Sequence, residues 1–192
     1  MIDGAVIETE RLILRRWRPE DLAPFAALNA DAEVMAHFPA PHTREQSDGL
    51  VAMIDDHFDR HGFGWWAVER RSDGALLGMT GLSTLRPESP LHPGVEIGWR
   101  FARHAWGQGH ASEAARASLA FGFQRLSLAE IVSFTATTNA ASEAVMRRIG
   151  LERRAVDDFD HPAIVEGHRL SRHVVYGLSA EAWRHALRFP PA

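Results

Sequence analysis

Apolar and polar residues alternate from Thr9 to Trp17, with Leu12 and Leu14 set against Arg11, Ile13 and Arg15, and this pattern predicts a first strand. A helix is expected from Pro19, a favoured first-turn residue, to about Asn29, followed by a short helical piece from Ala32 to His37. Thr43 is placed to cap a helix reaching His61, where Gly62 and Gly64 end it. Apolar runs at Trp65 to Arg70 and Leu76 to Leu85 flank Ser72-Asp73-Gly74 and read as a hairpin. A proline-containing loop, Arg86 to Pro93, leads into the short strand Val95-Glu96-Ile97-Gly98-Trp99, then a glycine loop, then an alanine-rich helix reaching Gln124. Ile131 to Leu151 repeats the order of strand and helix, with Asn139 at the helix start and Gly150 at its end. Strands near Glu152 to Asp157 and Arg169 to Leu178 flank a polar loop, and Ser179 caps a terminal helix that stops before Pro190 and Pro191. With no repeat, linker or low-complexity tract, residues 1–192 read as one domain.

The glycine loop, Trp106-Gly107-Gln108-Gly109-His110-Ala111, carries the first chemical signal. First-turn amides of a helix have no intrahelical partners, and the peptide dipoles add positive charge, so an anion is favoured there. Glycines let it approach closely. In the following helix Ala111, Ala114, Ala115, Ser118, Leu119 and Gly122 share one narrow face, which allows close packing on a sheet. No GKS or GKT follows the glycines, which excludes a P-loop, and the loop does not follow the first strand as in a dinucleotide-binding unit.

These two strand-and-helix segments resemble the GNAT superfamily of N-acetyltransferases. The resemblance is to the RimJ/RimL type, which includes acetyltransferases of ribosomal-protein N-termini, because further pieces recur in order: Thr9-Glu10-Arg11-Leu12-Ile13-Leu14-Arg15, Pro19-Glu20-Asp21-Leu22, Gly78-Met79-Thr80-Gly81-Leu82 and Val95-Glu96-Ile97-Gly98-Trp99. It covers the chain from about Thr9 to Tyr176. It implies an α/β fold with a mixed, mostly antiparallel central sheet, in which the fourth and fifth strands are parallel and splayed, with helices on both faces. It also implies acetyl-CoA as cosubstrate and direct transfer of acetyl to a primary amine, without a covalent acyl-enzyme.

By that resemblance the amides of Gln108, Gly109, His110, Ala111 and Ser112 hold the pyrophosphate, and the backbone of Trp99, Arg100 and Phe101 pairs with the pantetheine. His104 stands where many members carry Gln or Arg, so Arg103 beside it is the expected cation, since it stays charged at all working pH. Gly98 marks either a strand bulge, which frees an N–H near Trp99 to polarise the thioester carbonyl, or room for an aromatic such as Trp66. Asn139 is an N-cap accepting from the amide of Ser142 or Ala141, with a second contact to CoA. Many members carry a proton-donating Tyr where this chain has Met146, and a thioether donates no proton. Ser142, at the place of a RimL-type serine near the CoA sulfur, is the expected donor to the leaving thiolate, or else a first-turn serine satisfied by backbone. Glu96, on an alternating strand opposite to Val95 and Ile97, is the expected base, or else a solvated carboxylate. Phe38 is expected in the acceptor wall.

Composition adds limits. The chain is 45% hydrophobic and 24% charged, as suits a globular domain, and its net charge of −4 argues against a dedicated nucleic-acid binder, although all 21 of its Lys and Arg positions are Arg. It has no Cys, hence no disulfide or thiolate nucleophile. The acidic start and the lack of a long apolar run argue against a signal peptide and a membrane span, so a cytoplasmic protein is expected, and a homodimer is admitted. Eleven His include His57 and His61 at helical spacing, but the glutamate of HExxH is missing and no metal is expected. His161, His168 and His173 line the acceptor pocket or lie on the surface. The favoured acceptor is a protein N-terminal α-amine; a small-molecule amine, such as a polyamine or an aminoglycoside-like compound, and a non-catalytic CoA sensor are the alternatives.

Overall fold

The computed structural model describes residues 6–188, so the expected stop at Pro190 and Pro191 lies outside the described residues. The elements in chain order are β1 (Ile7–Glu8), β2 (Leu12–Arg15), α1 (Leu22–Ala30), α2 (Arg44–His61), β3 (Trp65–Arg70), β4 (Leu76–Thr84), β5 (Val95–Phe101), α3 (His110–Gln124), β6 (Glu130–Ala136), α4 (Ala140–Arg148), β7 (Glu152–Arg153), β8 (Phe159–Asp160), β9 (Arg172–Ser179) and α5 (Ala180–Arg188). Contacts divide the chain into two compact units, Met1–Ser83 with Gly98–Ser118, and Thr84–Ile97 with Leu119–Ala192.

In the first unit β1, β2, β3 and β4 are neighbours in that order, each pair antiparallel, and β4 neighbours β5. The strand expected from Thr9 to Trp17 is shorter. The Thr9 hydroxyl oxygen accepts from the Leu12 amide at 3.0 Å and the Thr9 amide donates to the Leu12 carbonyl at 2.9 Å, which makes a hairpin turn between β1 and β2. The hairpin of β3 and β4 turns where expected, with Gly74 at φ 72°. A capping box starts α2: Thr43 accepts from the Gln46 amide and Gln46 accepts from the Thr43 amide. Gly62, left-handed at φ 75°, ends it. The piece from Ala32 to His37 is a run of turns instead of a helix, although the Asp31 carboxylate takes the amides of Glu33 and Val34 as a helix cap would. Leu12, Leu14, Phe25, Trp66, Leu77 and Leu82 are fully buried and form this unit's core.

In the second unit β5 pairs in parallel with β6 at Glu96↔Val132, and β6 pairs antiparallel with β9 from Glu130↔Ser179 to Ala136↔His173. The fold is therefore mixed α/β and mostly antiparallel, with the expected parallel pair; the short β1 makes those strands fifth and sixth. The strand expected from Glu152 to Asp157 is only β7, and β8 follows after a 3-10 turn. The Asp158 carboxylate ends it by holding the Arg153 guanidinium at 2.6 Å and the Val175 amide at 3.1 Å. The helix α4 begins on Asn139, whose Oδ1 accepts from the Ser142 amide at 3.2 Å, as its sequence position implies. It packs beside Tyr176 of β9, whose hydroxyl donates to Glu143 at 2.8 Å. Ser179 caps α5 by accepting from the Ala182 amide, and Trp183 stacks on Phe123 with ring centres 5.2 Å apart.

Candidate active site

The glycine loop of the first unit is shaped by two left-handed residues, Gly107 at φ 71° and Gly109 at φ 81°, conformations that L side chains rarely adopt. The first i to i−4 bond of α3 runs from the Glu113 amide to the Gly109 carbonyl at 3.0 Å, which leaves the amides of His110, Ala111 and Ser112 ahead of the ladder. Gln108 folds back, its Nε2 donating to the His104 carbonyl at 2.7 Å. The loop is held from a distant part of the sequence. Arg11 donates from Nη1 to the Gln108 carbonyl at 2.9 Å and from Nε to Glu113 at 2.7 Å, while Glu113 also accepts from the Thr9 hydroxyl at 2.6 Å. A Cβ on Gly109 would stand 3.4 Å from Nη2 of Arg11, so this guanidinium lies over the loop. Arg103 is ion-paired to Glu33 at 2.7 Å, as Arg11 is to Glu113. His110 is buried, and burial and then the charge of Arg11 lower its pKa; its Nδ1 has no partner among the described residues. Open amides, glycines that leave room and a nearby cation fit a pyrophosphate.

On the C-terminal half of β5, Trp99 is half-buried and Phe101 is buried, its carbonyl accepting from the Trp106 indole at 2.8 Å. A Cβ at Gly98 would stand 3.6 Å from Nε1 of Trp65, an ordinary contact, so the neighbouring aromatic is Trp65 and space alone does not demand glycine. The Gly98 carbonyl accepts from the Thr80 hydroxyl at 2.9 Å. Arg100 is 8% exposed, and no carboxylate among the described residues pairs with it. Its Nη1 donates to Asn29 Oδ1 at 2.6 Å and its guanidinium carbon lies 4.1 Å from the centre of the Phe38 ring. Burial pulls its pKa down to about 10.

In the second unit the register assigns residues to faces, because directly paired residues point to the same side. Glu96 pairs with Val132, and Phe134, two residues further along β6, shares that side with it. Ala136 pairs with His173, which also pairs with Phe159. Glu96, Phe134, Phe159 and His173 thus share one face of β5, β6, β8 and β9. The rings confirm it: Phe134 lies 5.4 Å from Phe159 and 6.0 Å from His173, and His161 lies 4.9 Å from His173. Desolvation raises the Glu96 carboxyl to about 7, opposed by the charge of Arg86. Burial lowers both His161 and His173.

On α4, the Asn139 side chain donates from Nδ2 to Ser142 Oγ at 3.0 Å and to Thr135 Oγ1 at 3.0 Å. Because the Ser142 oxygen accepts, its own O–H is left to donate elsewhere. Its partner is a side chain, not the backbone expected of an ordinary first-turn serine. Met146 is 1% exposed and packs in the core.

Sequence reasoning missed Arg11, Glu113 and Thr9 at the loop, and the side chain of Arg100. The first three stand about a hundred residues from their partners, as the 104-residue separation of Thr9 and Glu113 shows, and no local pattern announces such pairs.

Residues 11–152 match the acetyltransferase (GNAT) domain family. The chain is 31% identical over 144 residues to the uncharacterized protein YkkB of Bacillus subtilis, spanning 74% of this chain and 83% of that one. It is 35% identical over 169 residues to the FsC-acetyl coenzyme A-N(2)-transacetylase of Aspergillus fumigatus, spanning 81% and 68%. Among solved structures, an acetyltransferase (GNAT family) from Bacillus anthracis superposes with a TM-score of 0.76 at 26% identity, over 92% of this chain and 99% of that one. With a glycine loop open to phosphates and a family match over most of its length, this chain belongs to the GNAT acetyltransferase family and is an N-acetyltransferase.

Proposed function

We propose that this chain, as a single domain of the RimJ/RimL type, transfers acetyl from acetyl-CoA to a protein N-terminal α-amine by direct attack. GNAT acetyltransferases use acetyl-CoA, whose thioester supplies an activated carbonyl. The observation that carries the acceptor reading is the Glu96 carboxyl, held near 7. A base of that strength lies about one unit below an α-ammonium of pKa about 7.7 to 8, but more than about three below a lysine near 10.4, so proton removal is nearly balanced only for the α-amine. In this reading Glu96 takes the ammonium proton, directly or through water. The Trp99 amide polarises the thioester carbonyl, and the Ser142 O–H donates to the departing thiolate. The amides of Gln108, Gly109, His110, Ala111 and Ser112 hold the pyrophosphate, with Arg103 and Arg11, whose guanidinium lies over the loop, as the cations. The backbone of Trp99, Arg100 and Phe101 meets the pantetheine, Asn139 adds a CoA contact, and Phe38 lines the acceptor wall.

The second reading, a small-molecule amine, is favoured by the 35% identical relative, whose name specifies N(2) transfer to FsC. CoA release measured at pH 7 on peptides with a free N-terminus, on N-terminally blocked lysine peptides and on polyamines separates the two. The α-amine peptides are expected to react at least about 100-fold faster by kcat/KM, the order of the difference in neutral amine. Faster turnover of the lysine peptides or polyamines would overturn the α-amine assignment.

A further inference from the structure

An arginine side chain removed from water ordinarily has a carboxylate to answer it, because a desolvated unpaired charge is costly. Arg15 in the same unit follows that rule: it is 4% exposed, and Asp21 and Glu69 hold it at 2.6 Å each. Arg100 is nearly as buried and breaks the rule. Its one hydrogen bond among the described residues goes from Nη1 to a neutral amide oxygen, that of Asn29, and Asn29 spends its own Nδ2 on Ser47 Oγ at 2.9 Å. Among the described residues its buried Nε has no partner and Nη2, on the same edge of the guanidinium, makes no hydrogen bond. That edge is the side-on fork with which arginine grips two oxygens at once, as Arg70 does here with Asp73, through Nε at 2.9 Å and Nη2 at 2.6 Å. The ring of Phe38, its centre 4.1 Å from the guanidinium carbon, packs against the Arg100 guanidinium and helps to hold the fork in place.

A second group points the same way. The amide of His42 donates to the Asn29 carbonyl at 2.9 Å, which ties this residue to the same cluster, and its Nδ1 is also buried without a partner among the described residues. Burial and the charge of Arg100 lower the pKa of His42. Two buried nitrogens able to donate, one on a charged guanidinium and one on an imidazole whose protonated form burial and Arg100 disfavour, with no carboxylate hydrogen-bonded to either among the described residues, make a receptor of about one positive charge. A planar monoanion with two oxygens matches it; a phosphate dianion asks for more donors and more charge.

We propose that the side-on fork of Arg100, with His42 beside it and Phe38 beneath it, binds a carboxylate carried by the amine acceptor, so that this enzyme selects acidic acceptors. The proposal rests on the acetyl-transfer reading for the acceptor's identity, whereas the anion site stands on Arg100 and His42 themselves. The carboxylate has two sources, an acidic side chain near a peptide N-terminus or the α-carboxylate of a free amino acid.

The test compares matched acceptors with the wild-type enzyme: peptide amides beginning Ala-Asp against Ala-Asn, and free amino acids against their amides, each by kcat/KM with amine pKa taken into account. A preference of about 10-fold or more for the carboxylate member of either pair is expected, in line with the strength of a charge-assisted bidentate contact, and the pair that shows it identifies the source. In Arg100→Gln that ratio should fall to near one, and in Arg100→Lys, which keeps the charge but lacks the fork, to an intermediate value. Independently of turnover, the His42 ring titrated by NMR in the wild-type protein should move to higher pH when the carboxylate acceptor is added, and not with its amide. No turnover of any amine combined with the His42 shift would refute the acceptor reading and keep the anion site. Ratios near one in wild type with an unmoved His42 would overturn the proposal. So would an Arg100→Gln variant whose selectivity is intact but whose KM for acetyl-CoA rises, since the fork would then serve a CoA phosphate.

Discussion

A carboxyl held near neutrality costs the fold something that its chemistry recovers. Glu96 titrates at about 7 in the folded chain, against 4.5 ordinarily, so the native state keeps a proton there that the unfolded chain has released. The native state is thereby favoured below the ordinary value, and stability falls as pH rises from there through the folded value. Glu96→Gln removes the penalty: urea midpoints of variant and wild type should agree near pH 4, and the variant should be more stable at pH 8, on the order of 1–3 kcal/mol. A variant equally or less stable at pH 8 would show that the carboxyl is not desolvated. Activity should move the opposite way. The variant should lose about 100-fold in kcat/KM at pH 7 and less above pH 8, where free amine accumulates and needs no base. Ser142→Ala, whose hydroxyl is expected only to assist a fairly good leaving group, should cut kcat by roughly 10- to 1000-fold with little change in acetyl-CoA affinity. Wild-type turnover in that variant would return Ser142 to helix capping.

At the scale of elements, the glycine loop is the part whose geometry is least replaceable. Gly109→Pro cannot hold a positive φ and lacks one of the open amides, so acetyl-CoA binding by calorimetry should disappear from a folded variant. What was readable in the sequence here is what short-range chemistry decides. The capping box at Thr43, the left-handed Gly62, the hairpin at Gly74 and the cap at Asn139 each involve residues within a few positions, and each is where the pattern puts it. The face of the strand on which Glu96 stands was readable too, from alternation. The misses have long-range causes. The last strand before the polar loop stops early because Arg154 is drawn to Glu130, 24 residues away, and Arg153 to Asp158. Arg100 passed as a backbone contributor because its partner Asn29 is 71 residues distant. Arg11, 97 residues from Gln108 in sequence, covers the loop, a contact that the local pattern beside Arg103 does not announce.

For the whole molecule, ligand binding and stability are one equilibrium. A ligand that binds only the folded chain stabilises it by about 2.7 kcal/mol at a hundredfold excess over its Kd, so acetyl-CoA should raise the melting temperature by roughly 5–10 °C for a chain of this size. No shift at that excess would contradict a preformed phosphate loop. The bond from Thr9 to Glu113 has a further meaning for how the protein comes into being. A ribosome adding about 5–20 residues per second needs roughly 5–20 s to travel that distance, and until then the first hairpin has neither its acidic anchor nor a loop for Arg11 to cover. The emerging chain therefore lacks this grip on its cosubstrate until Glu113 has been made, and acquires it only when Thr9 is joined to a residue 104 positions later.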